Sequence, residues 1–201
     1  MEKNRTAPLI TMAVVISIII LTVVWMKNSY NGMVGLDEMV KTSWSQVENQ
    51  YQRRADLIPN LVNTVKGYAQ HEKDTLEAVI QARSKASQTT INAAGLTPES
   101  LKAFQAAQGE LGGALSRLMV SMERYPDLKA NESFRDLQAQ LEGTENRISV
   151  ERKRFNETAQ QFNTHIRTFP TSIMAGLLGF ASRPYFEADK GAEKAPQVNF
   201  Q

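Results

Sequence analysis

Residues 36–80 read LDEMVKTSWSQVENQYQRRADLIPNLVNTVKGYAQHEKDTLEAVI, and the apolar members of this run decide the fold. Leu36, Val40, Trp44, Val47, Tyr51, Ile58, Val62, Val65, Ala69, Leu76 and Ile80 are separated by threes, fours or sums of them, the spacing that lines up one face of an α-helix. Nothing alternates with the period of two that a strand requires for more than a few residues, so the spacing predicts an all-α protein without a sheet. Pro59 lies inside the run. It has no N–H, and its ring presses on the carbonyl of Ala55, which predicts a kink or restart there, with a break into two helices as the alternative.

Toward the N-terminus, Asn28, Asn31, Gly32 and Gly35 mark residues 27–35 as a juxtamembrane linker, a break in the helical pattern. Before it, residues 7–26 read APLITMAVVISIIILTVVWM, without a single charge. At about 1.5 Å per residue this stretch covers the roughly 30 Å hydrocarbon core of a bilayer. A cleaved signal peptide is the rival reading, with Lys3 and Arg5 as its basic start, but its apolar part would be about 7 to 15 residues and would end in small residues. This one ends in Val-Val-Trp-Met. The expectation is therefore an uncleaved single-pass anchor in lipid at 7–26 behind a short flank at 1–6, with Trp25 and Tyr30 at the interface. Lys3, Arg5 and the amino terminus against Lys27 favour a cytoplasmic N-terminus and, in the inner membrane of a two-membrane bacterium, an extracytoplasmic body, with a cytoplasmic body as the alternative.

Toward the C-terminus the stripe fades through Ser84, Ser87, Thr89 and Thr90 to Gly95. Thr97-Pro98-Glu99 then reads as an N-cap, a first-turn proline and an acid at the positive helix end. Leu101, Phe104, Leu111, Leu115, Leu118, Met122 and Tyr125 form the next stripe, stopped by Pro126; Gly112-Gly113 inside it lowers helix propensity by about 1 kcal/mol each. A third stripe runs Phe134, Leu137, Leu141, Thr144, Ile148, Phe155, Phe162, Phe169 and stops at Pro170. Such amphipathic helices bury their stripes against one another, which predicts an elongated antiparallel bundle of three to four helices over residues 36–186. Residues 173–180 are too few to span a bilayer. They read as a short helix capping the bundle, or as a membrane or partner contact through Ile173, Leu177, Leu178 and Phe180. Residues 187–201, rich in Ala, Lys, Glu, Pro and Gln, are expected to be disordered.

Composition then narrows the function. The 201 residues hold 23 Lys+Arg against 21 Asp+Glu, a formal charge of +2, with no cysteine and a mean hydropathy of −0.36. Without cysteine there is no disulfide, thiolate metal site or thiol nucleophile. The near-balanced charge opposes a dedicated nucleic-acid binder. His71 and His165 have no second ligand at metal spacing, and no phosphate loop or nucleophile elbow occurs. The expectation is a non-enzymatic, membrane-anchored helical scaffold or interaction protein with no cofactor, no metal and no small-molecule substrate; a membrane-remodelling or lipid-interacting protein using residues 173–180 is the alternative, ahead of an enzyme or metal protein. Arg53-Arg54 and Arg147, Arg152, Lys153, Arg154 are interleaved with Asp56, Glu145, Glu151 and Glu157, the composition of a solvated, ion-paired face.

The amides are less ordinary. Gln46, Asn49, Arg53, Asp56, Asn60 and Asn63 share one helical face away from Tyr51, and Asn156, Gln160, Asn163 and Arg167 form a similar line beside Phe155 and Phe162. Asparagine is a mediocre helix former, so solvent alone does not call for it repeatedly. These lines are candidate interaction faces, inside the bundle, between protomers or with protein partners; a solvent face of that composition is the alternative.

Several segments also carry a resemblance. Tyr30-Asn31-Gly32-Met33-Val34, Leu36-Asp37-Glu38, the uninterrupted block at 44–62 and Val65-Lys66-Gly67-Tyr68, with Arg154-Phe155-Asn156, Phe162-Asn163, Phe169-Pro170, Gly179-Phe180 and Tyr185-Phe186-Glu187, resemble the LemA family of bacterial membrane proteins. Phe155 stands where that family often has tyrosine. The resemblance implies one N-terminal transmembrane helix carrying an elongated helical bundle, and it implies no catalytic residues.

Overall fold

The structure, a computed structural model, describes residues 6–69 and 71–187; the flank at 1–5 and all of the expected tail except Glu187 lie outside the described residues. The described residues contain helices and no strand. Helix α1 spans Thr6–Lys66, α2 Lys73–Gln88, α3 Pro98–Met122, α4 Pro126–Ala130, α5 Glu132–Arg167 and α6 Thr171–Leu178, with a 3-10 turn at Ala93–Gly95 before α3.

At 61 residues and about 1.5 Å of rise each, α1 is roughly 90 Å long. Its first third is uncovered: Leu9, Ile10, Val14, Ile18, Leu21 and Val24 all stand exposed. Inside this stretch the hydroxyls turn back on the helix, Ser17 to the Ala13 carbonyl at 2.9 Å and Thr22 to the Ile18 carbonyl at 2.8 Å, so neither is an unmet donor. The linker expected at 27–35 is helical, and the anchor runs into the body without a break. Asn28, Asn31, Gly32 and Gly35 lower propensity, but Ser29 and Met33 are buried against the body, and that packing outweighs the propensity.

Pro59 is also inside α1, which does not restart there. The carbonyl four residues earlier, Ala55, loses its helical donor to the proline, and Arg83 Nε on α2 supplies a replacement at 2.7 Å. The break falls instead at 67–72, after Gly67. The cap expected ahead of α3 is complete: Thr97 Oγ1 accepts from the Ser100 N–H at 3.1 Å and Ser100 Oγ accepts from the Thr97 N–H at 2.9 Å. Pro126 opens α4, and α5 ends at Arg167, leaving Phe169 exposed beyond the third stripe. Ile80, assigned to the first stripe, is exposed as well, because α2 buries Leu76, Val79, Ala82 and Ala86.

Helices α1 and α5 run antiparallel along the body, and α2 and α3 form an antiparallel hairpin at its far half. Two apolar cores result. The anchor-proximal one joins Met33, Val40, Trp44 and Tyr51 of α1 to Phe104 of α3, Ile148, Phe155 and Phe162 of α5, Met174 of α6 and Phe186. The distal one joins Ile58, Leu61 and Val65 to Val79, Leu111, Leu118, Met122, Leu128, Phe134 and Leu141. Between them lies a polar layer.

Candidate functional site

That layer is built around Arg54. Its side chain is only 4% exposed, and both terminal nitrogens are paired while Nε is buried without a partner: Nη1 donates to Glu145 Oε2 at 2.8 Å, and Nη2 donates to the Gln108 carbonyl at 3.2 Å and to Gln108 Oε1 at 2.6 Å. The guanidinium also lies 5.1 Å from the Tyr51 ring centroid, a cation–π distance. Arg54 was expected on a solvated face; it is inside, and its partner Glu145 is the member that reaches water. Its helical position explains this, because it stands three residues after Tyr51 and four before Ile58, on the buried stripe. A groove of about 480 Å³ opens beside it, lined by Arg54, Gly112, Leu115, Met119, Leu141 and Glu145.

The two amide lines have different fates. On α1, Gln46, Asn49, Arg53, Asp56, Asn60 and Asn63 are all exposed. Among the described residues the only hydrogen bond to a side chain of this line is Gln52 Nε2 to Asp56 Oδ1, 2.8 Å, within the same helix. On α5, Gln160 and Arg167 are exposed, but Asn156 and Asn163 face inward. Asn163 donates Nδ2 to the Arg183 carbonyl at 2.8 Å and accepts from the Arg183 N–H at 2.7 Å. Asn156 repeats the pattern on Phe186, donating at 3.0 Å and accepting at 2.8 Å. Two asparagines seven residues apart thus hold the backbone of the extended segment 181–187 against α5, substituting for the strand partner this segment lacks. Phe186 fills the space between Trp44 and Phe155, with centroids 5.9 and 5.5 Å away.

Arg183 ties this strap to α1 as well, through Nη2 to Asp37 Oδ1 at 2.6 Å; Lys41 lies 3.0 Å from the other oxygen of Asp37. Burial disfavours the charge on Asp37, but hydrogen bonds from Arg183 and Lys41, with their positive charges, outweigh it and hold the pKa below the ordinary carboxylate range. A depressed carboxylate stabilises the fold above its unfolded pKa, about 4, and loses that contribution as the pH falls through the folded value. Asp37→Asn is therefore expected to lower the denaturation midpoint of the detergent-solubilised protein at neutral pH. The gap from the parent should close as the pH falls below 4, and a gap independent of pH would refute the assignment.

At the far end, Glu72 gathers the hairpin. It accepts from Ser121 Oγ, from Tyr125 OH at 3.0 Å and from Arg124 Nη2 at 2.8 Å. The Ser121 hydrogen bond, more than any other cause, lowers its pKa, and burial together with the Tyr125 hydrogen bond to Glu72 raises that of Tyr125.

At the anchor end, α6 lies against α1: Ser29 Oγ is 3.4 Å from Thr171 Oγ1, and the Tyr30 ring meets Phe180 edge-on at 6.3 Å. Met174 and Ala175 are buried, whereas Ile173, Leu177 and Leu178 face outward and Leu177 is 79% exposed. Phe180 is half-buried against Phe162. Among the described residues no three His, Asp or Glu side chains converge as a metal site would require.

The sequence profile of the LemA family matches residues 43–200, well over half of the chain. The chain belongs to the LemA family. It is similar to magnetosome protein MamQ 1 of Paramagnetospirillum magneticum, at 27% identity over 86% of this chain and 69% of that protein. Magnetosome protein MamQ of Magnetospirillum gryphiswaldense is 28% identical over the same shares. Protein LemA of Metamycoplasma hominis is 25% identical over 75% of this chain and 65% of its own length. The LemA profile takes in the polar layer, both amide lines, the strap and α6, while the apolar span precedes it.

Proposed function

We propose that this LemA-family protein is a membrane-anchored, non-catalytic interaction protein that uses the amide face of α1 to pair with a second copy of itself in the same membrane. The observation that supports this is the exposure of all six residues of the line on a helix continuous with the anchor, while the opposite face of the same helix is packed into both cores. Amides donate and accept at once, so a face of them is complementary to its own copy. Arg53 and Asp56, one turn apart, are self-complementary in the same way. Anchors in one membrane hold two copies parallel. The count of Lys3 and Arg5 against Lys27 supports a body on the outer side of the cytoplasmic membrane.

A photo-crosslinking residue at Asn49 or Asn60 in native membranes is expected to give an adduct of twice the monomer mass. The same residue at Val150, exposed on α5, should give none, and Asn49→Lys with Asn60→Lys should remove the adduct by like-charge repulsion. Adducts only with other proteins, or none, would refute self-pairing.

A second reading concerns α6. Its outward apolar face, Ile173, Leu177 and Leu178, sits beside Ser29 and Tyr30, directly after the span, which favours contact with the bilayer surface over a cap on the bundle.

A further inference from the structure

We propose that the anchor-proximal end of the body is a foot selective for anionic bilayer surfaces, with Lys27 and Arg167 meeting headgroup charge and Phe169, Ile173, Leu177 and Leu178 entering the interface; this rests on the bilayer-contact reading of α6. Contact with the bilayer surface has three parts, and the first is height. Helix α6 is held at the level of Ser29 and Met33 of α1, which at about 1.5 Å per residue is roughly 5 to 10 Å beyond Met26. If residues 7–26 fill the hydrocarbon core, the headgroup layer on each side is roughly 5 to 8 Å thick, so α6 lies in or against it. Because α1 passes through 27–35 as unbroken helix, this height is fixed by the fold and is not averaged by a flexible linker.

The second part is the exposed apolar surface. Leu177 and Phe169 are 79% and 77% exposed, with Ile173 and Leu178 also open, and all stand within one short stretch that continues the interfacial aromatics Trp25 and Tyr30. An apolar face of this kind enters the headgroup and acyl boundary by about 5 to 10 Å. Continuity with the span itself names the occupant as lipid.

The third part is charge. Residues 27–36 and residues 158–186, the segments that build the foot, contain no Asp or Glu. Asp37, the acid that follows the first of them, is already paired with Arg183 and Lys41. Lys27 and Arg167 are exposed, and neither has an ion pair among the described residues. A cation held near an anionic surface favours contact roughly five-fold at low salt, and salt screens it within a Debye length. Two of them together favour contact roughly 25-fold.

The chain has no cysteine, so Leu177→Cys carries a nitroxide at one place only in the full-length protein. It is reconstituted into vesicles of phosphatidylcholine, alone or with phosphatidylglycerol, and collisions of the label with oxygen and with a water-soluble nickel chelate are compared, with Val150→Cys as the aqueous reference. The expected result is immersion of the label at 177, increased several-fold by phosphatidylglycerol at low salt and returned by high salt to the phosphatidylcholine value. Lys27→Gln with Arg167→Gln should abolish the increase without removing immersion in phosphatidylcholine. A label as aqueous as that at 150 in both lipids would overturn the contact reading and the selectivity together. Equal immersion in both lipids, insensitive to salt and to the double variant, would overturn the selectivity while leaving the contact reading standing.

Discussion

Replacing Trp44 by alanine is expected to destabilise the body by about 4 kcal/mol, the upper range for truncating a buried aromatic. The indole is fully buried, and it touches four parts of the chain at once. Phe104 of α3 and Phe155 of α5 meet it edge-on at 5.4 and 5.5 Å, and Phe186 of the strap stacks on it at 5.9 Å. Its Nε1–H donates to the Ile91 carbonyl at 2.9 Å, the contact that holds the loop before α3. Alanine removes the three ring contacts and leaves the Ile91 carbonyl without its donor, so a cavity term and a polar term add. Trp44→Phe separates them: the rings remain and only the donor and part of the volume are lost, for roughly 1 to 2 kcal/mol. Denaturant midpoints of the detergent-solubilised protein measure both. Equal losses for the two variants would show that the hydrogen bond, and not the aromatic packing, dominates.

What could be read from the sequence divides along a physical line. The long apolar N-terminal helix and the helical stripes depend on local composition and period, and both stand in the structure. The Thr97 cap depends on residues three apart and is formed as its chemistry requires. Where the structure departs from the sequence reading, a distant residue intervenes. Pro59 does not break α1 because Arg83, 28 residues away, supplies the donor that the Ala55 carbonyl lost. The turn at 67–72 is drawn together by Ser121, Arg124 and Tyr125 around Glu72, none of which is near in sequence.

The candidate sites show the same division. Residue type alone cannot separate the exposed Asn49 and Asn60 from Asn156 and Asn163, because what turns the second pair inward is a strap, 181–187, that has neither helix nor strand period. The polar layer did leave a signal. The stripe of α1 skips from Tyr51 to Ile58 and that of α3 from Phe104 to Leu111, and each seven-residue gap contains a position, Arg54 and Gln108, that completes the three–four spacing. Charge and amide chemistry argue for solvent at those positions; period argues for burial, and period prevails.

Arg54→Ala is expected to destabilise the protein by about 3 kcal/mol, nearly as much as the loss of Trp44 but by another route. The methylenes and guanidinium leave a hole between two cores, and the Gln108 side-chain oxygen, paired now at 2.6 Å, is left buried without its donor. Glu145→Ala should cost below about 1 kcal/mol, because that carboxylate is 62% exposed and water replaces its partner. The informative variant is Arg54→Met with Gln108→Leu, which converts the layer to apolar packing and removes every unmet group together. Burial of a charge is costly, so the stability of this double variant should equal or exceed that of the parent. What the layer supplies is register: with polar groups at one level only, α1, α3 and α5 have a single alignment in which Arg54 meets both Gln108 and Glu145, whereas two fused apolar cores tolerate a one-turn slip. Hydrogen exchange distinguishes the outcomes. The double variant should show an unchanged or higher midpoint with faster exchange of backbone amides along α3 and α5 around the layer; retention of parent protection there would show that the layer does not set the register.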